Sequence, residues 1–447
     1  MERQLMKRSE IWYHLYPLGF LGADDQNPAP GAVGGPISHR LADLVGWLDQ
    51  LVDLGVTGLL LGPVFESGSH GYDVVDPFRI DRRLGSEMDL VRLIDECHQR
   101  SLRVGLDVVF HHVGRGHAYF VDVLAHGRES ARSDWFHVDF DRQGDDGFSY
   151  ANFEGHDQLV KLNHANGQVL DWAVDVAGYW LDRGVDALRL DAAYAIPAAF
   201  LATFENRVRA LRPDLLLVGE VIHGDYVAIA KASRLASVTQ YELWKAIWSS
   251  LNERNFYELA HALDRHSDFC QHFVPWNFVG NHDTTRIATK LIDRRHLAHA
   301  LAILFTLPGI PAVYAGDEQG AEGTKYDREG GDAEIRRPLP YQPAELAGDS
   351  LLIWQMHREL IAVRRARPWL VDGALKVTHL GNRSIAFEVR SQQHLLVTLL
   401  NTDDRSVPCA IPPGLVPVAG HAVAKPEATE LPAHGWGIWS SAGASVC

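Results

Sequence analysis

Cysteine is scarce in this sequence. Only four cysteines occur among 447 residues, at positions 97, 270, 409 and 447, and no two of them form a CxxC pair. Structural zinc sites and the disulfide frameworks of small secreted proteins both need several closely spaced cysteines. The sequence therefore implies neither, and we expect isolated, reduced thiols.

Long apolar runs are also missing. No stretch approaches the ~18 consecutive apolar residues that a membrane-spanning helix needs. The N-terminal sequence MERQLMKRSEIWYHLYPL has neither the apolar centre nor the small-residue cleavage site of a secretory signal. These two absences predict a cytoplasmic protein with no membrane partner.

Positive charge is in deficit, since 42 Lys and Arg residues face 57 Asp and Glu residues and the net charge is −15. An acidic surface repels phosphate backbones and anionic lipids, so we expect no nucleic-acid partner. The hydrophobic share of 46% and the charged share of 22% are those of ordinary globular domains. Composition therefore predicts folded domains rather than disorder.

Short apolar strand patterns alternate with helical patterns from residue 11 to residue 366. Helical spacing of apolar residues marks, among others, residues 41–54, 86–102, 197–211, 243–265, 294–307 and 351–366. About eight such βα units are the count of an α/β protein with a (β/α)8 barrel. The strand patterns are at 11–18, 58–64, 103–110, 186–191, 215–221, 237–241, 273–283 and 311–316.

Two segments break the alternation. Between residues 112 and 169 the sequence is polar and aromatic without a clear helix pattern, which predicts a small inserted subdomain at 113–166, after the third strand. After residue 370 short alternating runs predict a C-terminal antiparallel β-sandwich over 371–447. The barrel domain is then expected in two parts, 1–112 and 167–370.

Polar residues follow the predicted strands at their C-terminal ends, where barrel enzymes carry their chemistry. Capping or ion pairing explains one or two carboxylates easily, but not four on separate strands. Glycoside hydrolysis needs two carboxyl groups, one to attack the sugar and one kept protonated, partly by like-charge crowding, to release the leaving oxygen. Spacing alone does not say which carboxylate plays which part. The set comprises Asp107, His111, His112, Arg189, Asp191, Glu220, Asn281, His282 and Asp283, with His70, Tyr72 and Asp73 after the second strand.

Seven short motifs together resemble glycoside hydrolase family 13, the α-amylase superfamily. Each match alone is weak, but their order and spacing make the resemblance strong. The motifs are GPVFESGSHGYDVVD at 62–76, DVVFHHV at 107–113, KLNHAN at 161–166, DALRLDAA at 186–193, LLLVGEVIH at 215–223, FVGNHD at 278–283 and GIPAVYAGDEQG at 309–320.

The resemblance implies roles for individual residues. Asp191 would be the nucleophile that forms a covalent β-glycosyl intermediate, Glu220 the acid and then the base, and Asp283 the group that binds ring hydroxyls in the transition state. The outcome would be retention of the α configuration, with a bell-shaped pH profile. The same resemblance places Tyr72, Asp73, His112, Arg189 and His282 around the sugar, and His223 is either an acceptor-side contact or a surface residue.

Two positions depart from the family pattern. His111 stands where many members have an asparagine that binds a structural calcium, and Tyr194 and Ala195 stand where many amylases have Lys-His. These changes argue against the usual calcium site, and the second alters the acceptor side. We therefore assign no metal and no cofactor, and we expect His111 to be a packed residue.

The sequence thus predicts an intracellular retaining α-glycosidase that hydrolyses malto-oligosaccharides or related short α-glucosides. One alternative is an α-glucosyl transferase or a disaccharide isomerase that uses the same carboxylates. Another is a sugar-binding protein without catalysis, which the presence of all three catalytic carboxylates disfavours. The sequence does not specify chain-length preference, linkage or oligomeric state.

Overall fold

A computed structural model describes residues 10–28, 30–31, 35–328, 330–338, 345–420, 423–424 and 429–441. Eight strands close into a barrel, and helices lie between them, which confirms the (β/α)8 fold that the alternation predicts. The barrel strands are β1 (Trp12–Leu15), β2 (Gly58–Leu61), β3 (Arg103–Val109), β4 (Ala187–Asp191), β5 (Leu216–Gly219), β6 (Ser237–Thr239), β7 (Val274–Phe278) and β8 (Ile310–Tyr314).

The strands form where the sequence has continuous apolar runs, because both faces of a parallel barrel sheet are buried. Every residue of β2, β4, β5 and β8 is buried. Strand β2 begins at Gly58. Glycine is required there because a Cβ atom would stand 2.7 Å from the indole ring of Trp12. A side chain at this position would collide with a fully buried tryptophan.

The chain divides into two compact units. One consists of residues 15–49 and 59–236, and within it β4 pairs in parallel with β3 and with β5. The register places Arg189 beside Asp107 on β3. The other unit consists of residues 1–14, 50–58 and 237–447, and in it β8 pairs in parallel with β1 and β7, and β7 with β6.

Helices account for most of the connections between barrel strands. Among the described residues, none is both long enough and apolar enough to cross a bilayer. The α-helices are Pro17–Phe20, Leu48–Leu54, Glu87–Gln99, Ala118–His126, Gly167–Leu181, Ala198–Leu211, Tyr226–Ser233, Tyr241–Glu253, Tyr257–Phe269, Ile287–Lys290, Leu297–Thr306 and Gly348–Arg365. The 3-10 turns are Arg40–Trp47, Gly127–Glu129, Ser133–Trp135, Ala193–Ala195, Arg294–His296, Asp317–Gln319 and Pro368–Val371.

Two predicted helices differ from the structure. The helix expected at 41–54 is a 3-10 helix until Trp47 and an α-helix afterwards, because Leu41, Leu44 and Trp47 are spaced by three residues, the period of a 3-10 helix. The helix expected at 243–265 is two helices, since Arg254 adopts a left-handed conformation with φ +51° and ends the first.

The segment between residues 112 and 169 contains a helix that the sequence did not indicate. Ala118–His126 is helical, and its N-terminal cap is His117, whose Nδ1 accepts from the Tyr119 amide at 3.3 Å. Histidine is not among the residues that usually signal a helix start, so the expectation of no helix here was wrong. The segment also contains two small antiparallel sheets, which are His112–Gly114 with His156–Lys161 and Asn152–Phe153, and Val138–Asp139 with Ser149–Tyr150. A further antiparallel hairpin, Phe65–Ser67 with Val74–Ile80, lies earlier in the chain.

The C-terminal region forms two antiparallel sheets, as the alternating runs predict. Leu431 of the smaller sheet belongs to the same buried cluster as Ala386, Val397, Leu399 and Trp439 of the larger one, so a shared core joins the two. The exact boundaries proposed for this domain and for the insertion stay predictions. The strands are Ala374–Leu380, Ser384–Arg390, Leu395–Asn401, Leu415–Gly420 and Trp436–Ser441 in one sheet and Val407–Cys409, Val423–Ala424 and Thr429–Leu431 in the other.

Candidate active site

Arg189 is the centre of a buried cluster of carboxylates. Its Nη1 atom donates to Asp107 Oδ2 at 2.5 Å and to Asp191 Oδ1 at 3.3 Å, and its Nη2 atom donates to Glu220 Oε1. One guanidinium therefore binds the carboxylates that end or line three barrel strands. The fork of the guanidinium suits this task, because it offers several donors in fixed directions.

The Arg189 guanidinium stays protonated and positively charged. Burial by itself would lower the pKa of this guanidinium, but the neighbouring charges of Asp107, Glu220 and Asp191 outweigh burial and raise the pKa well above its usual value. A permanent positive charge at this point orients the carboxylates around it through charge-assisted hydrogen bonds.

The three carboxylates differ in the exposed fraction of their side chains. The Asp107 side chain is fully enclosed, and it also accepts a hydrogen bond from the Tyr72 hydroxyl at 3.0 Å. The Asp191 side chain is 12% exposed and that of Glu220 is 8% exposed. Asp107 is thus suited to hold Arg189 and Tyr72, whereas Asp191 and Glu220 reach the surface of the site and can meet a substrate.

The backbone turns sharply directly after Asp191. Ala192 has φ +46° and ψ 36°, a left-handed conformation that is costly for a residue with a Cβ atom. In this conformation the Ala192 amide donates to Glu220 Oε2 at 3.0 Å. The turn thereby ties the Glu220 carboxylate, directly after β5, to the end of β4, and strain of this kind is typical of functional sites.

The two histidines after β3 are neutral and packed together. His111 Nδ1 lies 3.1 Å from His112 Nδ1, and the His112 ring stacks on Phe153 with centroids 5.0 Å apart. Burial lowers the pKa of each histidine to about 3. The Nε2 atom of His112 is buried.

The residues around His111 do not fit a calcium ion. Calcium takes six to eight oxygen ligands, whereas His111 offers a neutral ring that meets Phe153 edge-on at 5.0 Å. The charge of Lys161 also helps to lower the pKa of His111, so a cation already lies nearby.

The loop after β2 carries Tyr72 and Asp73. Both are buried, and Asp73 Oδ2 accepts a hydrogen bond from Ser69 at 2.9 Å while its Oδ1 lies 3.9 Å from His70 Nδ1. Gly114 allows close approach here, because a Cβ atom at this position would stand 2.4 Å from the Asp73 carbonyl oxygen. The loop is therefore fixed on both sides of the Tyr-Asp pair.

A second group of predicted residues follows β7. His282 is fully buried, and its Nε2 lies 3.0 Å from Asp283 Oδ2. Asn281 shapes this turn, because its side chain accepts from the Asp283 amide at 3.0 Å. Arg336 donates to Asp283 Oδ1 at 2.8 Å and to the His282 carbonyl at 2.9 Å. The Asp283 carboxylate is therefore held at both oxygens.

Arg336 was not expected from the sequence. The residue lies 53 positions after its partner Asp283, in a loop without regular structure. The Arg286 guanidinium and the Tyr314 hydroxyl both donate to the carbonyl of Ile335, the preceding residue, at 2.8 and 2.9 Å. The basic pair Arg336 and Arg337 was the available signal, although exposed arginine pairs are common.

His223 is exposed and lies three residues after Glu220 of the Arg189 cluster. Its ring meets the Tyr194 ring at a centroid distance of 4.9 Å, and the Tyr194 hydroxyl donates to Glu154 Oε1 at 2.7 Å. Burial and the Glu154 carboxylate raise the pKa of Tyr194, so the hydroxyl keeps its proton. The three side chains form an aromatic and polar rim, of which Glu154 was not expected from the sequence.

Comparison with known proteins gives consistent matches. Residues 15–350 match the family described as alpha amylase, catalytic domain. The cyclomaltodextrinase of Geobacillus thermopakistaniensis strain MAS1 is 32% identical over 380 residues, which cover 80% of this chain and 62% of that protein. The intracellular maltogenic amylase of Bacillus subtilis is 29% identical over 420 residues, which cover 88% of this chain and 68% of that protein. The chain thus spans about two thirds of the length of these relatives.

A solved structure matches over nearly the whole length. The cyclic α-maltosyl-(1→6)-maltose hydrolase from Arthrobacter globiformis, in its ligand-free form, superposes with a TM-score of 0.81 at 27% identity. The match covers 98% of this chain and 99% of that one.

Proposed function

The chain belongs to the α-amylase family, and from this premise we propose that it is a retaining glycoside hydrolase that cleaves α-glucosidic bonds in short malto-oligosaccharides. The observation that carries the proposal is the Arg189 cluster. A buried guanidinium fixes two accessible carboxylates, Asp191 and Glu220, and hydrolysis with retention needs two.

In the proposed reaction, a carboxylate oxygen of Asp191 attacks the anomeric carbon as the bond to the glycosidic oxygen breaks. Glu220 gives its proton to that leaving oxygen. Glu220 then takes a proton from water, and the water oxygen displaces Asp191 from the anomeric carbon. Two displacements at one carbon restore the α configuration.

We assign binding roles to the neighbouring residues. Asp283, held by Arg336, accepts hydrogen bonds from sugar hydroxyls, and His282 and His112 donate to others. Tyr72 and Asp73 contact the sugar from the same fixed loop. Arg189 acts on the carboxylates rather than on the sugar, because its donors are already engaged with them.

The rim residues Tyr194 and His223 are assigned to the acceptor side. Aromatic faces suit the apolar faces of sugar rings, and Tyr194 follows Asp191 by three residues. A rim of this kind influences whether water or a second sugar takes the glycosyl group, so it bears on the alternative transferase reading.

Cyclic oligosaccharides are a second candidate substrate class. The observation that favours them is the end-to-end match to the Arthrobacter globiformis hydrolase, whose name states a cyclic tetrasaccharide substrate. Action inside the cytoplasm stays a prediction, which the name of the Bacillus subtilis relative supports.

The test is product analysis on a panel of maltoheptaose, cyclomaltodextrins, cyclic maltosyl-maltose, trehalose and sucrose. The proposal expects shorter malto-oligosaccharides from at least one maltosyl substrate and no turnover by Asp191→Asn. Asp186→Asn is the matched control, because Asp186 lies at the opposite end of the same strand pattern, hydrogen-bonded to His98. Rearranged disaccharides without hydrolysis would favour an isomerase. Tight maltose binding without turnover of any substrate would contradict the enzyme proposal.

A further inference from the structure

Three potential metal ligands, Asp293, His296 and His434, converge outside the two groups of candidate-site residues. His296 Nε2 lies 3.0 Å from His434 Nδ1, and Asp293 Oδ2 lies 4.0 Å from each of these two nitrogen atoms. Asp293 and His296 belong to the turn before helix Leu297–Thr306, and His434 lies in the turn before strand Trp436–Ser441. All three lie within the same compact unit.

The outer contacts of His434 prepare its ring to bind a cation. Its Nε2 lies 2.8 Å from Asp404 Oδ1. A carboxylate on the far nitrogen of a histidine holds the proton there and leaves the lone pair of the near nitrogen free to bind a metal, as in carboxylate–histidine–zinc arrangements. For His434 that near nitrogen is Nδ1, the atom that faces His296.

The outer nitrogen of His296 is unusual. The residue is 1% exposed, and within the described part of the chain its Nδ1 atom has no hydrogen-bond partner. A neutral ring must leave either a buried donor or a buried acceptor unused at this atom, which costs free energy. Binding a cation through Nε2 would place the ring proton on Nδ1, so the two histidines would bind through the nitrogens that face each other.

The backbone of His434 adopts an uncommon conformation. Its φ of +51° is a left-handed conformation that glycine or asparagine adopts at lower cost. Such a conformation persists where the surrounding structure holds the residue. The contacts of the His434 ring with Asp404 and His296 hold it here.

We propose that Asp293, His296 and His434 form a binding site for one divalent transition-metal ion of the zinc type, with water as the fourth ligand. Zinc–ligand distances of about 2.0–2.2 Å in a tetrahedron put ligand atoms about 3.3 Å apart. The observed separations of 3.0 and 4.0 Å reach that value with movements below about 1 Å. Two imidazoles favour zinc, copper or nickel over magnesium and calcium.

The charges that face the site are balanced before the ion binds. Arg295 donates to both oxygens of Asp293, with its Nη2 2.6 Å from Oδ2, the oxygen that also faces the two histidines, and Arg254 Nη2 donates to Asp404 Oδ2 at 2.8 Å. Each guanidinium pairs with one carboxylate beside the site. The His299 ring meets the His296 ring at a centroid distance of 5.1 Å, and burial lowers the pKa of His299 to about 4, so it adds no charge at neutral pH.

The ion would join a turn of the barrel domain to a turn of the C-terminal sheet. The ion would therefore link these two turns, and neither Asp191 nor Glu220 is among its ligands. Nothing in the sequence pattern pointed to this site, because His296 and His434 are 138 residues apart and neither belongs to a short metal-binding motif.

The test is a titration of chelator-treated full-length protein with Co²⁺, followed by visible absorption, and competition with Zn²⁺. The wild type is expected to bind one ion with the absorption of a four-coordinate site. His434→Asn and Asp293→Asn are expected to weaken that binding at least about 10-fold. His379→Asn is the matched control, because His379 lies on the C-terminal sheet with its Nε2 3.0 Å from Ser384 Oγ, and this variant should bind as the wild type does.

A loss of metal binding can be distinguished from a loss of folding in this test. Asparagine tolerates the left-handed backbone of His434, so His434→Asn is expected to keep the thermal midpoint of the metal-free wild type within a few degrees. Zinc in 100-fold excess over its Kd should raise the midpoint of the wild type but not that of His434→Asn. Absence of Co²⁺ binding by the wild type, or equal binding by wild type and His434→Asn, would overturn the proposal and leave a plain hydrogen bond between the two histidines.

Discussion

Replacement of Arg189 by methionine should destabilise the protein and inactivate it. The guanidinium is 4% exposed and binds Asp107, Asp191 and Glu220. Removing one partner of a buried ion pair leaves uncompensated charge, which costs about 3–5 kcal/mol. With an unfolding entropy of about 2.1 cal/mol/K per residue, the 447 residues of the chain give about 0.9 kcal/mol/K. The thermal midpoint should therefore fall by about 3–5 °C.

The loss should depend on pH. Without Arg189 the carboxylates of Asp107, Asp191 and Glu220 repel one another, and protonation relieves that repulsion in the folded state. The folded variant then binds more protons than the unfolded chain, so its stability falls as pH rises. The difference from wild type should be largest near about pH 7 and smaller near about pH 5.

Calorimetry at both pH values measures the effect, with Arg358→Met as the control. Arg358 forms an exposed pair with Asp53, at 47% and 55% side-chain exposure, and such pairs contribute about 0–1 kcal/mol. An Arg189→Met protein with an unchanged midpoint at neutral pH, or with a larger deficit at acid pH, would refute the reasoning from the buried cluster.

Three further predictions concern other contacts. Arg336→Gln should lower kcat/KM by about 10–100-fold because Asp283 loses a charged hydrogen bond, while Lys325→Gln, whose ammonium is 3.6 Å from Asp332, should not; equal kinetics of the two variants would contradict this. Tyr194→Ala should lower the ratio of transfer to hydrolysis products at high maltose concentration, measured by chromatography, and an unchanged ratio would remove Tyr194 from the acceptor side. Cys97, which is buried and whose pKa burial raises to about 12, should resist iodoacetamide in the native protein near about pH 8 and react in urea; modification in the native state, found by peptide mass spectrometry, would be the opposite result.

The barrel strands could be predicted because each strand is marked by the apolar pattern of its own residues. A buried parallel strand must be apolar along its whole length, so runs such as residues 58–64 and 186–191 indicate strands without knowledge of their partners. The helix Ala118–His126 escaped prediction because its cap is His117 rather than Ser, Thr, Asn or Asp. The break at Arg254 escaped because a left-handed arginine leaves no trace in the hydrophobic pattern.

The candidate site was predictable only where strand ends carry the chemistry. Asp107 and Arg189 lie within the apolar strands β3 and β4, Glu220 directly follows β5, and the register between β3 and β4 brings Asp107 and Arg189 together. Arg336 and Glu154 could not be found in this way, because they lie outside regular barrel elements and reach their partners through folding of long loops. The left-handed turn at Ala192 is likewise a property of the folded backbone, since alanine does not favour it.

The central claim is that Asp191 forms a covalent intermediate and that the reaction retains configuration. Proton NMR during the first minutes of maltoheptaose hydrolysis, faster than mutarotation, measures the anomer of the new reducing end directly. The α-anomer should appear first and then equilibrate toward β, and Asp191→Asn should give no signal. Initial release of the β-anomer would contradict the assignment of Asp191 as nucleophile and require a single displacement by water.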